Sequence, residues 1–186
     1  MSKYIEKYPW LRLRNLYTGE LYKNTDAYDD ILGGWQIAFG EMLLEELDAA
    51  IKKHKLEDTF IFEQVKEKFG RLVMYINTGN QEIHDIINKY GLLSENICAT
   101  CGKPDIAMLN MSYIIPMCED CYNKMSYRHG VKRCEVEPYD SIASQNRTMP
   151  TTMKCTRYED NEKIVREIDI SETVEAIRKV FRERTS

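Results

Sequence analysis

The sequence predicts an α+β protein made of a helix–β-hairpin–helix unit, a four-cysteine zinc site and a C-terminal ββα tail. Three observations carry that prediction. Apolar residues recur at helical spacing from Trp35 to about Lys53 and again over residues 80–96. Between these stretches, two β-rich runs flank Gly70. After them come Cys98-x-x-Cys101 and Cys118-x-x-Cys121, separated by 16 residues, Gly102 to Met117. That spacing suits a four-cysteine zinc site. The chain divides on this reading into an N-terminal α+β unit (1–97), a zinc-binding treble clef (98–130) and a C-terminal extension (131–186).

Composition sets the frame. The 186 residues, 43% hydrophobic and 30% charged, suffice for a sizeable core without metal. Zinc is therefore expected to secure a sub-region rather than the whole fold. The net charge of −4 argues against a general nucleic-acid binder. The acidic excess lies in the N-terminal half: residues 1–97 hold 12 Lys+Arg against 16 Asp+Glu. No apolar run is long enough for a bilayer, and the first residues lack the apolar stretch of a signal peptide. A soluble, cytoplasmic protein is expected, the host cytoplasm if the chain is phage-encoded. Its thiols should be reduced and free for metal.

The elements follow in order. Pro9 extends Tyr8, and Trp10, Leu11, Leu13 and Leu16 form an apolar arm over the core. An aromatic and Arg binding surface of Trp10, Arg12, Arg14 and Tyr17 is the alternative. Residues 23–34 read as a solvated acidic loop, and the spacing of Asp26, Asp29 and Asp30 does not match a calcium loop. The helix from Trp35 buries Phe39, Met42, Leu43, Leu47 and Ile51. It carries Glu41, Glu45, Glu46 and Asp48 mainly off that stripe. The hairpin at 60–77 turns at Gly70, which can supply a positive φ. Asn80 caps the next helix, Gly91 interrupts or ends it, and Ser94 starts a further turn. His84 and Asp85 are helix neighbours that point apart, so His84 reads as a surface residue.

The phrase Gln64-Val65-Lys66-Glu67-Lys68-Phe69-Gly70-x-Leu72-x-x-Tyr75 resembles one found in a family of small uncharacterised bacterial and phage proteins. In that family a helix with isoleucines follows, then a serine, then Cys-x-x-Cys-Gly-x-Pro. Here these are Ile83, Ile86, Ser94 and Cys98-x-x-Cys101-Gly102-Lys103-Pro104. Tyr8-Pro9-x-Leu11-Arg12-x-Arg14-Asn15-x-x-Thr18-Gly19-Glu20 and Gly34-Trp35 resemble the phage-borne members. The likeness covers about residues 8–121. It departs at Val73, where the family often has arginine. The resemblance implies this order of parts and a phage or prophage context. It implies no reaction.

Around the cysteines, Gly102-Lys103-Pro104 completes a knuckle turn, a short hairpin is expected within 106–115, and a helix follows Cys118. Cys121 would sit in its first turn, where the helix dipole favours an anion. Knuckle, hairpin and helix predict a treble clef; a zinc ribbon is the alternative. Cys98, Cys101, Cys118 and Cys121 are the predicted ligands of a structural Zn²⁺, since four thiolates leave no open position. An iron–sulfur cluster or a redox dithiol is the competing chemistry.

Lys124, Arg128, Lys132 and Arg133 follow without an intervening acid, with His129, Tyr122 and Tyr127 among them. They would offset the charge of a four-thiolate centre or, as the alternative, grip nucleic acid. Cys134 and Cys155 read as buried, unpaired thiols. The tail forms a second hairpin, 153–158 with 163–168, then a helix capped by Ser171. No nucleophile–base pair and no Gly-rich phosphate loop stand out, so no catalytic residue is assigned. The expected function is that of a non-enzymatic, zinc-stabilised binding protein of phage or prophage origin. Its target would be a host or viral protein, with inhibition of a host defence nuclease as one form. The alternative is a nucleic-acid module using the basic helix.

Overall fold

The computed structural model describes residues 3–15, 17–106, 115–128, 148–159 and 162–186. The chain is α+β. Among the described residues, three antiparallel hairpins, each its own two-stranded sheet, pack with helices around the core.

The N-terminal arm makes one 3₁₀ turn, Pro9–Leu11, then strand β1 (Arg12–Arg14). Trp10 belongs to the core and not to a binding surface: it is buried, meets Phe60 edge-on at 5.8 Å, and donates its indole N–H to Asp48. The expected loop at 23–34 begins instead as a strand. β2 (Leu21–Asp26) pairs with β1 through an irregular register. Asp26 ends that strand fully buried, its Oδ1 accepting the N–H groups of Tyr28 and Asp29. Such a local turn competes with cation binding for the same oxygen.

The first long helix starts at Gly33, two residues before the expected position. It runs as α1 (Gly33–Trp35), a π-helical turn (Gln36–Gly40) and α2 (Glu41–Lys53). Leu43, Leu44, Leu47, Ala50 and Ile51 are buried at steps of one, three and four, as a core-facing stripe requires. The central hairpin pairs β3 (Phe62–Lys68) with β4 (Arg71–Ile76). Phe69 and Gly70 turn it with φ of 52° and 81°, and Glu67 accepts the Gly70 N–H at 2.6 Å.

Asn80 caps α3 (Gln81–Ser94), its side chain accepting from Ile83 N. Gly91 does not break this helix. The bare backbone there lets α3 close on β4, since a Cβ would stand 3.0 Å from both the Leu72 carbonyl oxygen and Arg71 Nε. Ser94 neither starts a turn nor faces water. It accepts the Leu72 N–H and donates to the Gly91 carbonyl, joining α3 to β4.

In the tail, β5 (Thr152–Glu159) pairs with β6 (Glu162–Asp169) and leads into α5 (Ser171–Thr185). Ser171 is the first helical residue rather than the cap; the Asp169 carboxylate takes its N–H at 2.8 Å. Met153, Cys155, Ile170, Val174 and Ile177 lie in the same buried cluster as Trp35, Leu47 and Tyr90. The tail therefore completes the core of the N-terminal unit. No helix among the described residues is long and apolar enough to cross a membrane.

Candidate metal centre

Cys98 and Cys101 occupy a tight turn directly after α3. The Cys98 N–H donates to the Lys103 carbonyl, the Gly102 N–H donates back to the Cys98 carbonyl, and Gly102 takes a φ of 79°. Cys118 precedes α4 (Glu119–Arg128), and Cys121 lies in the first turn of that helix. The two pairs converge. All four sulfurs lie within 4.8 Å of one another, with Cys98 and Cys118 buried and Cys101 and Cys121 half-buried.

These distances discriminate between chemistries. Cys101 Sγ and Cys118 Sγ are 3.7 Å apart, far beyond a disulfide bond, and all four thiols are free. Four sulfurs at a metal–sulfur distance of about 2.3 Å in a tetrahedron stand about 3.8 Å apart. The donor set is uniform, sulfur-only and four in number. The four cysteines can hold a metal ion.

The local electrostatics suit thiolates unevenly. Burial works to raise the Cys98 pKa, yet backbone N–H groups led by that of Cys118, 3.4 Å from the sulfur, bring it below the ordinary thiol value. Burial pushes the Cys101 thiol up to about 11 and that of Cys121 higher still. Without a cation, one thiolate forms first and resists its neighbours; a divalent metal removes that conflict.

The centre is seated on the start of the long helix. The Gly34 N–H donates to the Ala99 carbonyl at 2.8 Å, and Trp35 Nε1 donates to the Ile97 carbonyl at 3.1 Å. A small apolar cluster of Cys98, Ile106, Met117 and Cys118 fills the space beneath. Arg178 on α5 reaches Asp105 with two nitrogens at 2.9 and 3.0 Å, fastening the tail to the loop after the knuckle. The sequence signals for this seat were Gly33-Gly34 before Trp35 and the isolated Asp105.

The remaining candidates fall as follows. Lys124 is exposed on α4. Arg128 closes α4, and its side chain, with His129, Lys132, Arg133 and Cys134, lies outside the described residues. The hairpin expected within 106–115 also falls largely outside them. His84 is half-buried rather than superficial, its Nε2 2.9 Å from the Thr78 carbonyl oxygen. Cys155 is buried beside Asp85, and burial pushes its thiol up to about 11. No protein-family model, curated protein or solved structure matches this chain.

Proposed function

We propose that this chain is a non-enzymatic binding protein whose four-cysteine centre holds a structural Zn²⁺. The observation that carries this reading is the closed donor set: four thiolates converging within 4.8 Å fill a tetrahedral ion and leave no position for substrate or water. Simple paired Cys-x-x-Cys turns with sulfur-only donors favour zinc over other divalent metals. The knuckle at Cys98 and the helix carrying Cys121 are two of the three parts of a treble clef, and we read the centre as one.

Function then belongs to the surfaces that the centre fixes. The sequence resemblance to phage-borne proteins points to a host or viral protein as partner, and inhibition of a host defence nuclease is the form of that reading with the clearest phenotype. The test is capture. Zinc-loaded chain, crosslinked in host and in infected-cell lysate, should enrich a defined protein over an unrelated protein of similar size and net charge. A capture profile identical for the two proteins would overturn the reading.

A further inference from the structure

Among the described residues, six large hydrophobic side chains stand exposed, and five of them lie on two neighbouring hairpins. Tyr17, Leu21 and Tyr22 are on β1–β2, and Phe69 and Tyr75 are on β3–β4. Exposed apolar groups cost little singly, but where several gather they mark an interaction site; Tyr17 and Tyr22 line one groove, and Tyr75 stands on the strand that pairs with Gln64 at its edge.

The two hairpins form one surface. A groove of about 420 Å³ between them is lined by Arg14, Tyr17, Tyr22, Asp30, Glu63 and Gln64. Gln64 faces Tyr75 across the ladder, Lys66 faces Val73, and Lys68 faces Arg71. Side chains alternate along a strand, so Gln64, Lys66 and Lys68 share the outer face while Val65 is buried beneath it. At the tip, Phe69 is 75% exposed, and its positive φ is one that bulky residues rarely adopt. Such backbone persists where the surrounding structure enforces it, here through the Glu67–Gly70 hydrogen bond.

The cations on this face meet neutral acceptors: Lys66 donates to Gln64 Oε1 at 2.6 Å and Arg14 to the Gly19 carbonyl at 3.4 Å. Lys66 and Lys68 lie over the rings of Tyr75 and Phe69 at 5.3 and 5.8 Å. Neither lysine, nor Arg14, has a carboxylate partner among the described residues, whereas Arg71 beside them pairs with Glu95. Tyrosine, phenylalanine and arginine in one patch are the residues that dominate protein–protein binding energy.

We propose that the outer face of β3–β4, continued through the groove onto β1–β2, docks an acidic segment of a partner protein. The proposal rests on the protein-binding reading above and names its surface. Charge complementarity selects acidic residues for Lys66 and Lys68 on the β3–β4 face, while the apolar residues of the same segment lie against Tyr17 and Tyr22 in the groove, where Glu63 and Asp30 leave no net positive charge. A nucleic acid fits less well. The lysine ammonium groups already sit over two of the rings that bases would need for stacking.

The test uses the zinc-loaded full chain with three fluorescein-labelled probes. These are a peptide of mixed glutamate and leucine, the same peptide with lysine for glutamate, and an oligothymidylate. In fluorescence anisotropy the acidic peptide should bind and the basic one should not. Its affinity should fall about tenfold in Lys66→Glu/Lys68→Glu and in Tyr22→Ala, with thermal midpoints unchanged. No binding of the acidic peptide at about 1 mM overturns the proposal. So does binding of the oligothymidylate in its place. If lysate capture yields a partner that the doubly charge-reversed variant retains, the protein-binding reading stands and this surface is wrong. If capture yields nothing specific, the reading beneath it falls.

Discussion

Gly34 and Cys98 touch backbone to backbone: a Cβ on Gly34 would stand 2.1 Å from the Cys98 carbonyl oxygen. The start of the long helix and the first metal ligand are thus in van der Waals register, with no room for a side chain. Gly34→Ala must push the knuckle off the helix. We expect a loss of about 1–3 kcal/mol in urea unfolding, the ordinary cost of overpacking a close contact. Metal retention against a competing chelator should fall with it. Gly33→Ala, at a glycine whose Cβ would meet nothing within 4 Å, is the control and should be near neutral.

The converging sulfurs predict one zinc per chain by elemental analysis. Cys118→Ser and Cys98→Ser should each lower metal retention against a competing chelator, because three thiolates and a hydroxyl hold the ion less tightly than four thiolates. Cys155→Ser should leave it intact. That thiol packs under the tail hairpin, beside Asp85 rather than the centre.

Ser94 is a test of the joint between α3 and β4. It is fully buried and is the acceptor for the Leu72 N–H at 2.8 Å. Ser94→Ala strands that donor, and the expected cost is about 1–3 kcal/mol in chemical unfolding. Ser94→Cys keeps a weak acceptor and should recover part of the loss.

The Asp105–Arg178 pair makes a statement about pH. Burial works to raise the Asp105 pKa, but the Arg178 guanidinium and the Met149 N–H outweigh it and hold the carboxyl below its usual value. A carboxylate with a depressed folded pKa stabilises the protein above its unfolded value, about 3.9, and that contribution is lost as pH falls through the folded pKa. Arg178→Leu should cost about 1–2 kcal/mol at neutral pH. The gap between wild type and variant should close as pH drops below about 4. Urea midpoints across that range check it.

What the sequence made legible was local. The stripes of α2 and α3 announce themselves because the helical period is written in neighbouring residues, and Asn80 sits three residues before the N–H it caps. The central hairpin and the cysteine pairs were readable for the same reason. What escaped depends on distant partners. Trp10 could not be sorted from Tyr17 by residue type: one is buried against Phe60 and the other is wholly exposed. β2 hid behind polar residues because its strand ends in a buried aspartate turn. Ser94, Gly91 and Gly34 each looked like punctuation, and each is a contact point between elements far apart in sequence. The aromatic face of the two hairpins exists only once β1–β2 and β3–β4 lie side by side.

The central claim is that metal at Cys98, Cys101, Cys118 and Cys121 clamps one region onto a core that stands without it. Hydrogen exchange, read by mass spectrometry with and without chelator, tests it most directly. The account predicts that chelation strips protection from Cys98–Ile106 and Glu119–Arg128 first, while α2, α3 and β4 keep theirs. Unchanged protection across the cysteine segments after the metal has been removed would contradict it.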